Sequence, residues 1–351
     1  MGNSDNITPI VNPSYSLFPK EVKPLSYYIK GLERHDRYVL SESITLLESS
    51  NHKKRKLAEE IIQNLSTNYP GTIRLGITGA PGVGKSTFIE SLGLFLIHKG
   101  HRPAILAIDP SSQKSKGSIL GDKTRMDQLA AHPNAFIRPT AAGSVLGGTA
   151  SNTKESILVC EAAGFDFILV ETVGVGQSET EVDNITDVNI LLLQPGAGDD
   201  IQGIKRGIIE NADIFIISKA DGLLNNFAEK TKTDYKSAVQ LLHHPIDGWE
   251  YPILLCSAIE NRGIEDIYNE ILKYCALTKA KGFFYEHRRL QELKWFDKRT
   301  GQMIQELILK NKMVRKTYNS LLNLLGKQTI NTSTALIQME KVLSAVLKTE
   351  K

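Results

Sequence analysis

The stretch GITGAPGVGKSTFIE, residues 76–90, decides the fold of this chain. Gly79 and Gly84 enclose four residues and are followed by Lys85 and Ser86, which matches the pattern G-x4-G-K-[S/T] at every position. A strand pattern precedes the stretch and a helical pattern follows it, which is the context that this pattern requires. In such a loop, backbone N–H groups surround a phosphate, the lysine neutralises charge, and the hydroxyl binds Mg²⁺. We therefore expect nucleotide phosphates to contact Gly79, Ala80, Pro81, Gly82, Val83, Gly84, Lys85, Ser86 and Thr87.

Strand and helix patterns alternate along the chain around this loop. Strands are predicted at 73–77, 104–108, 135–138, 166–171, 187–193, 213–217 and 252–256. Helices are predicted at 85–98, 152–163, 201–210, 232–243 and 263–275. Short apolar strands that alternate with helices indicate a mostly parallel sheet with both faces covered. The predicted fold is therefore an α/β P-loop NTPase, a mostly parallel sheet flanked by helices, with helical extensions at both ends.

Helical patterns without strands occupy both ends of the chain. We assign residues 1–70 to an N-terminal arm and helical region, 71–275 to the nucleotide-binding domain, and 276–351 to a C-terminal helical region. Two apolar stripes predict a terminal pair of amphipathic helices, and one stripe runs over 303–325. Such stripes must be covered by the sheet domain or by a second copy of the chain. We expect a homodimer that forms through these helices.

Composition and charge exclude several classes of protein. Hydrophobic residues make up 41% of the chain and charged residues 23%, which is ordinary for a globular protein. The net charge of +3 is too small to indicate nucleic-acid binding. No apolar stretch approaches the roughly 18 residues of a membrane span, so no membrane partner is expected. Cys160, Cys256 and Cys275 lie in apolar contexts without metal-ligand spacing, which is typical of reduced cysteines in a cytoplasmic protein.

A carboxylate is predicted beside the phosphate loop. The strand pattern in FDFILVETVG, residues 165–174, ends at Glu171, and Gly174 follows three residues later. Ligands of such sheets bind at the carboxyl ends of the strands, where P-loop proteins hold Mg²⁺ through an acidic side chain. Glu171 is longer than the usual Asp and still reaches a metal-bound water. We expect Glu171 to hold Mg²⁺ and to serve catalysis, and Gly174 to donate its N–H to the γ-phosphate.

Two further strand ends carry residues that we expect to recognise a base. Ser218, Lys219 and Asp221 resemble the guanine-binding pattern N-K-x-D, with Ser in place of Asn. An Asp at this position accepts hydrogen bonds from the guanine N1–H and exocyclic amine, which adenine does not offer. The pattern LLCSAIE, residues 254–260, resembles the loop whose backbone contacts the guanine O6, here Ser257, Ala258 and Ile259. Together the two strand ends favour GTP over ATP.

Several longer strings are not shared by GTPases in general. They are AIDPSS at 107–112, GSILGDKTRM at 117–126, RPTAAGSVLGG at 138–148, VETVGVGQSE at 170–179, PGAGDDIQGIKRG at 195–207 and RRLQELKW at 288–295. In this order they resemble the MeaB/ArgK-type P-loop GTPases, the family that includes the methylmalonic aciduria type A protein. The resemblance implies a sheet domain of the SIMIBI class of P-loop NTPases, with GTP or GDP and Mg²⁺ as its ligands.

The resemblance also implies a function and further site residues. Such GTPases are chaperones of an adenosylcobalamin-dependent acyl-CoA mutase, usually methylmalonyl-CoA mutase; they gate delivery of the cofactor and protect the mutase. By the same resemblance, Asp109 and Asp122 are expected near Mg²⁺, and Asp122 also in a catalytic role. The loop within residues 191–207 resembles the family's third switch segment. We hypothesise that a partner protein fixes it, so that Gln202 and Lys205 approach the γ-phosphate and Lys205 neutralises developing charge.

Two alternatives stay open. A metallochaperone GTPase for another metal or cofactor enzyme predicts a surface cluster of His and Cys, and the chain has one adjacent pair, His243 and His244, with no C-x-C or C-x-x-C. A P-loop kinase needs an acceptor pocket and a catalytic base beside the γ-phosphate, and no such base is distinguishable in the sequence. For the loop within residues 191–207, the simpler interpretation is that Asp199 and Asp200 cap a helix.

Overall fold

A parallel sheet forms the centre of the molecule. The computed structural model describes residues 22–49, 51–66, 71–109, 126–141, 149–172, 182–196, 209–240 and 244–349. Its strands are β1 (Ile73–Gly79), β2 (Pro103–Asp109), β3 (Phe136–Ala141), β4 (Phe167–Thr172), β5 (Val188–Leu193), β6 (Ile214–Ile217) and β7 (Ile253–Leu255). They form one sheet in the order β3-β2-β4-β1-β5-β6-β7, and every neighbouring pair is parallel. All seven predicted strands are present, and the predicted fold class is confirmed.

The order of the strands places two predicted site segments side by side. β1 lies between β4 and β5, with Ile77 opposite Glu171 and Gly79 opposite Leu192. Because all strands run in the same direction, their carboxyl ends meet at one edge of the sheet. We call this the carboxyl edge, marked by Gly79, Thr172 and Leu255, and the opposite side the amino edge. The loop after β1 and the carboxylate at the end of β4 therefore share the carboxyl edge.

Helices cover both faces of the sheet. They are α1 (Leu25–Glu33), α2 (Arg37–Leu47), α3 (His52–Gln63), α4 (Lys85–His98), α5 (Asp127–Ala131), α6 (Thr149–Ala162), α7 (Asn225–Val239) and α8 (Ile264–Ala280). α4 and α8 pack on one face with side chains such as Ile105 and Leu169. The neighbouring residues Leu106 and Ile168 point to the other face, where α1, α2, α3 and α6 pack, because side chains alternate along a strand. The N-terminal helices thus belong to the core of the sheet.

The predicted helix bounds agree with the structure to different degrees. α4 spans the predicted 85–98, whereas α7 begins at Asn225 and ends at Val239 instead of spanning 232–243. α8 continues five residues beyond the predicted end at 275, to Ala280. Most of the predicted helix at 201–210 lies outside the described residues.

Three helices begin within the described part of the C-terminal region, residues 276–349, so the predicted pair is wrong. They are α9 (Phe283–Lys310), α10 (Lys312–Gly326) and α11 (Thr332–Thr349). The apolar stripe over 303–325 crosses a break at Asn311, whose backbone is extended with φ −65° and ψ 123°. The Asn311 side chain accepts hydrogen bonds from the Met313 and Val314 N–H groups at 3.0 and 3.3 Å and so caps α10.

Side chains in the first turns of α9 form hydrogen bonds with residues at the amino edge of the sheet. The Arg288 guanidinium donates to both Asp187 carboxylate oxygens at 2.7 Å. The Gln291 carboxamide donates to the carbonyl oxygens of Asp183 and Thr186 at 2.8 and 2.6 Å. α9 therefore joins the C-terminal helices to the sheet domain. No helix in the described residues is both long and apolar enough to cross a membrane.

Candidate nucleotide site

The loop between β1 and α4 requires glycine at two positions. Gly79 ends β1 with φ +152°, and a Cβ there would lie 2.6 Å from the Leu192 carbonyl oxygen. Gly84 has φ +99° and directly precedes α4; its carbonyl accepts from the Phe88 N–H at 2.9 Å. The first N–H groups of α4 have no partner within the helix, and the helix dipole favours negative charge there. The loop is thus suited to bind an anion.

Lys85 and Ser86, the first residues of α4, carry the polar side chains of this loop. The Lys85 ammonium donates to the Gly79 and Ala80 carbonyl oxygens at 2.9 and 3.1 Å. The Ser86 hydroxyl donates to Oε1 of Glu171 at 3.2 Å, and Glu171 is buried at the end of β4. Hydroxyl and carboxylate oxygens are the donors that Mg²⁺ takes, beside water and phosphate. The two side chains therefore fit this ion.

The residues after β6 lie directly against the phosphate loop. Ser218, which stands where the guanine-binding pattern has Asn, donates from its hydroxyl to the Val83 carbonyl oxygen at 2.7 Å, and the same hydroxyl lies 3.1 Å from the Leu193 carbonyl oxygen. The Lys219 backbone is left-handed, with φ +53°, and its ammonium donates to the Gly82 carbonyl at 2.7 Å. The shorter Ser218 side chain thus still links β6 to the phosphate loop.

The loops after β6 and β7 meet at Asp221 and Ser257. The Ser257 hydroxyl donates to Oδ2 of Asp221 at 2.6 Å and accepts from the Glu260 N–H at 3.2 Å. The Ala220 N–H donates to the Cys256 carbonyl at 3.0 Å. Burial, together with the nearby Asp221 carboxylate, raises the pKa of the Cys256 thiol to about 12. The thiol therefore stays protonated at neutral pH. The hydrogen bond from Ser257 holds the Asp221 carboxylate in one orientation.

The other predicted residues lie in different places. Ile259 is at the tip of the β7 loop and is 80% exposed. Asp109 ends β2 at the carboxyl edge, opposite Ala141 of β3. Four predicted residues lie outside the described part of the chain, and their roles stay predictions: Asp122, Gly174, Gln202 and Lys205.

Three residues that the sequence patterns did not single out hold the loops after β6 and β7, which are the loops expected to bind the base. They are Ser91 of α4 and the adjacent Asn261 and Arg262. The string NRG at 261–263, just before a predicted helix, was an available turn signal. Ser91 gave no signal, because a serine inside a helix pattern is usually exposed or bonded to its own helix.

Sequence similarity identifies the family of the chain. The family model described as "Methylmalonyl Co-A mutase-associated GTPase MeaB" matches residues 40–314. The chain belongs to the MeaB family. As a member of this family of GTPases, it binds GTP and GDP and hydrolyses GTP.

Relatives of this MeaB-family chain cover most of its length. The GTPase ArgK of Escherichia coli (strain K12) is 39% identical over 319 residues, 91% of this chain and 96% of the relative. The Mus musculus protein named "Methylmalonic aciduria type A homolog, mitochondrial" is 41% identical over 305 residues, 84% of this chain and 72% of the relative. A crystal structure titled as an LAO/AO transport system kinase has a TM-score of 0.71 at 33% identity and covers 91% of this chain and 97% of its own.

The histidine pair considered for a metal site has a different environment. His244 has 3% of its side chain exposed; its Nε2 donates to Oδ1 of Asp213 at 3.0 Å, and its Nδ1 accepts from the Ile246 N–H at 3.0 Å. Both ring nitrogens thus serve the packing of the amino edge. His243 lies outside the described residues. Within the described ranges, no group of three or more His, Cys, Asp or Glu side chains could hold a metal ion.

Proposed function

We propose that this GTPase is a chaperone of an adenosylcobalamin-dependent acyl-CoA mutase, with methylmalonyl-CoA mutase as the first candidate. It gates delivery of the cofactor to the mutase and protects the mutase. The observation that carries this proposal is the match of residues 40–314 to a family described as associated with methylmalonyl-CoA mutase. The mouse relative, whose name refers to methylmalonic aciduria, supports the same client.

The proposed GTP site extends along the carboxyl edge from the phosphate loop to the β7 loop. The residues 79–87 surround the phosphates, and Lys85 neutralises charge on the β- and γ-phosphates. The Lys219 stem lies along the base plane, and Asp221 accepts from the guanine N1–H and exocyclic amine. The backbone of 257–259 contacts the guanine O6. The contacts of Ser218 and Lys219 with the phosphate loop support this arrangement, because they hold the two ends of the site together.

We further propose Mg²⁺ as the metal of this site. Ser86 would hold the ion directly and Glu171 through water, and the 3.2 Å contact between the two side chains supports this pairing. When bound, Mg²⁺ neutralises charge on the phosphates. Asp109, at the end of β2, and Asp122 are the further carboxylates proposed for the metal.

The proposed reaction is attack of water on the γ-phosphate. The chain has no Gln at the position that orients water in Ras-like proteins, because Gln177 lies three residues beyond Gly174. Slow turnover by the protein alone is therefore expected, since water positioning and charge neutralisation provide most of the rate. The partner would fix the loop within residues 191–207, so that Gln202 and Lys205 complete the site.

We also propose a homodimer that forms through the C-terminal helices. Large apolar side chains on these helices are exposed in the single chain, including Phe296 at 67%, Leu307 at 56% and Leu336 at 64%. A second copy would cover them and so remove apolar surface from water.

A cytoplasmic location is proposed as well, because the three cysteines are free and buried, as in proteins of reducing compartments.

Phosphate release from GTP tests the proposed function. It is measured for the purified protein alone and with each of several purified acyl-CoA mutases. We expect slow release that one mutase accelerates strongly, and loss of this acceleration in Lys205→Ala. Lys236→Ala, which removes an exposed lysine of α7, is the matched control and should keep it. Fast release that no mutase changes, or equal acceleration in Lys205→Ala, would contradict the proposal.

A further inference from the structure

A polar contact joins the phosphate-binding helix to the β7 loop. Ser91 lies on α4, six residues after Lys85, and is only 7% exposed. Its hydroxyl lies 2.5 Å from Oδ1 of Asn261 and 3.1 Å from the carbonyl oxygen of Ala258. A buried hydroxyl needs such partners, because leaving it without a hydrogen bond costs free energy. The helix that starts at the phosphate site therefore holds the loop expected to contact guanine.

The β7 loop itself is a closed turn. Ser257 and Arg262 exchange two backbone hydrogen bonds, both 3.0 Å long. Asn261 has a left-handed backbone with φ +52°, and Gly263 follows with φ +82°. A Cβ on Gly263 would lie 2.2 Å from the Leu255 carbonyl oxygen, so only glycine fits there. The turn therefore presents Ala258 in one orientation once Ser91 holds its carbonyl group.

Arg262 reaches from this turn to the β6 loop. Its guanidinium Nη2 donates to the Ala220 carbonyl oxygen and, at 3.1 Å, to the side-chain oxygen of Asn225 at the start of α7. Ala220 lies between Lys219 and Asp221, and Lys219 has the left-handed backbone that a non-glycine residue keeps only when its surroundings hold it. Arg262 therefore holds the peptide that positions the Asp221 carboxylate.

We propose that Ser91 and Arg262 are positioning residues for the selection of guanine. Arg262 aligns the Asp221 carboxylate with the N1–H and the exocyclic amine, and Ser91 aligns the backbone at Ala258 with the O6. The inference rests on the assignment of guanine recognition to these loops in the proposed function. Neither side chain lies in the phosphate loop, so both set the KM for the nucleotide and leave kcat unchanged.

Comparison of GTP with ITP separates the two roles. Inosine has the O6 and the N1–H of guanine but lacks the exocyclic amine, so only one of the two hydrogen bonds to Asp221 is available to it. In Arg262→Ala, the KM for GTP should rise about tenfold and the KM for ITP by less, which reduces the preference for GTP. In Ser91→Ala, both KM values should rise by the same factor, because both bases carry the O6.

Matched controls separate positioning from general loss of structure. Arg289→Ala removes an exposed arginine of α9 that pairs with Glu286 one turn away, and Ser237→Ala removes an exposed serine of α7 bonded to its own helix. Both should leave both KM values unchanged. Arg262 is about half exposed, so its replacement should not unfold the protein, and thermal unfolding of each variant checks this. Arg262→Lys keeps the charge but lacks the forked donors of the guanidinium. Its KM for GTP should therefore lie between those of wild type and Arg262→Ala.

The outcomes distinguish this inference from the proposed function. An unchanged GTP-to-ITP preference in Arg262→Ala, or a fall in kcat with unchanged KM, overturns the role of Arg262. Unequal changes for GTP and ITP in Ser91→Ala overturn the role of Ser91. A wild-type protein that hydrolyses GTP, ITP and ATP with equal KM values would overturn the guanine assignment in the proposed function, and with it this inference.

Discussion

The two edges of the sheet hold their charged side chains in different ways. At the amino edge, the Arg74 guanidinium forms two hydrogen bonds with the Glu161 carboxylate, at 2.8 and 2.9 Å, and both side chains are buried. At the carboxyl edge, Lys85 and Lys219 donate to backbone carbonyl oxygens of the phosphate loop. A forked, buried ion pair fixes one geometry, whereas an ammonium on carbonyl oxygens exchanges them readily for a phosphate. The buried ion pair at the amino edge therefore stabilises the sheet, whereas the contacts at the carboxyl edge suit the ligand site that we propose there.

Removal of Lys85 should have the largest effect on activity. In Lys85→Ala, we expect kcat/KM for GTP to fall by about a thousandfold or more, because the role proposed for this ammonium is to neutralise charge on the transferred phosphoryl group. Phosphate release measures the loss, and the melting temperature should change little. Lys53→Ala, which removes an exposed lysine of α3, is the control and should match wild type. A Lys85→Ala protein that keeps its GTP turnover would contradict the proposal that the carboxyl edge holds the nucleotide.

Removal of Glu161 tests whether the buried ion pair at the amino edge stabilises the fold without affecting nucleotide binding. In Glu161→Ala, the Arg74 guanidinium stays buried without its main partner, so the free energy of unfolding should fall by about 3–5 kcal/mol. Denaturant unfolding measures this loss, while the KM for GTP of the folded protein should stay the same. The exposed pair of Arg289 and Glu286 is the comparison: Arg289→Ala should lower the free energy of unfolding far less, because water screens this pair. If the two variants lose similar amounts of unfolding free energy, the burial of the Arg74–Glu161 pair does not increase its contribution to stability.

Replacement of Asp221 should change the base that the carboxyl edge selects. In Asp221→Asn, one acceptor oxygen becomes an amide donor, so the KM for GTP should rise roughly ten- to a hundredfold. XTP should become the better substrate, because xanthine presents a carbonyl where guanine has its amine. Phosphate release from the two nucleotides measures the change. An unaltered preference for GTP would exclude Asp221 as the residue that recognises the base.

The pH dependence of stability should give the smallest effect. Burial raises the pKa of the Glu155 carboxyl above its ordinary value of 4.5, while the paired Arg55 guanidinium opposes this shift. The folded protein then binds this proton more tightly than the unfolded chain does, so the contribution to stability is present at low pH and is lost as the pH rises through the folded-state pKa. Glu155→Gln stays neutral throughout. The unfolding free energy of wild type relative to Glu155→Gln should therefore fall as the pH rises above 4.5, and a constant difference would contradict the shift.

The sheet and its phosphate loop were predictable because their signals are local. Each strand is a short apolar run between turn residues, and the helix from Lys85 to His98 begins at the glycine pattern itself. The break at Asn311 was missed because the apolar stripe continues across it in a helical period. Asn311 is a residue type that often caps the start of a helix, but the continuous apolar stripe favoured a single helix.

The contacts that hold the loops proposed to bind the base could not be predicted in the same way. Ser91 meets Asn261 across 170 positions of sequence, and Arg262 meets Ala220 across 42. Periodicity and spacing describe neighbours along the chain, whereas such contacts arise from the packing of α4 and α8 on the same face of the sheet. The sequence patterns thus predict which loops form the site, and the tertiary structure shows what holds those loops.

Loading of a mutase with adenosylcobalamin tests the central claim most directly. Apo methylmalonyl-CoA mutase is mixed with the cofactor and this protein, and formation of the active mutase is followed with GTP, with a non-hydrolysable GTP analogue and without nucleotide. We expect GTP and its analogue to give clearly different loading, and the Lys85→Ala protein to remove the effect of GTP. Loading that is the same under all three conditions would contradict the claim that this GTPase gates delivery of the cofactor.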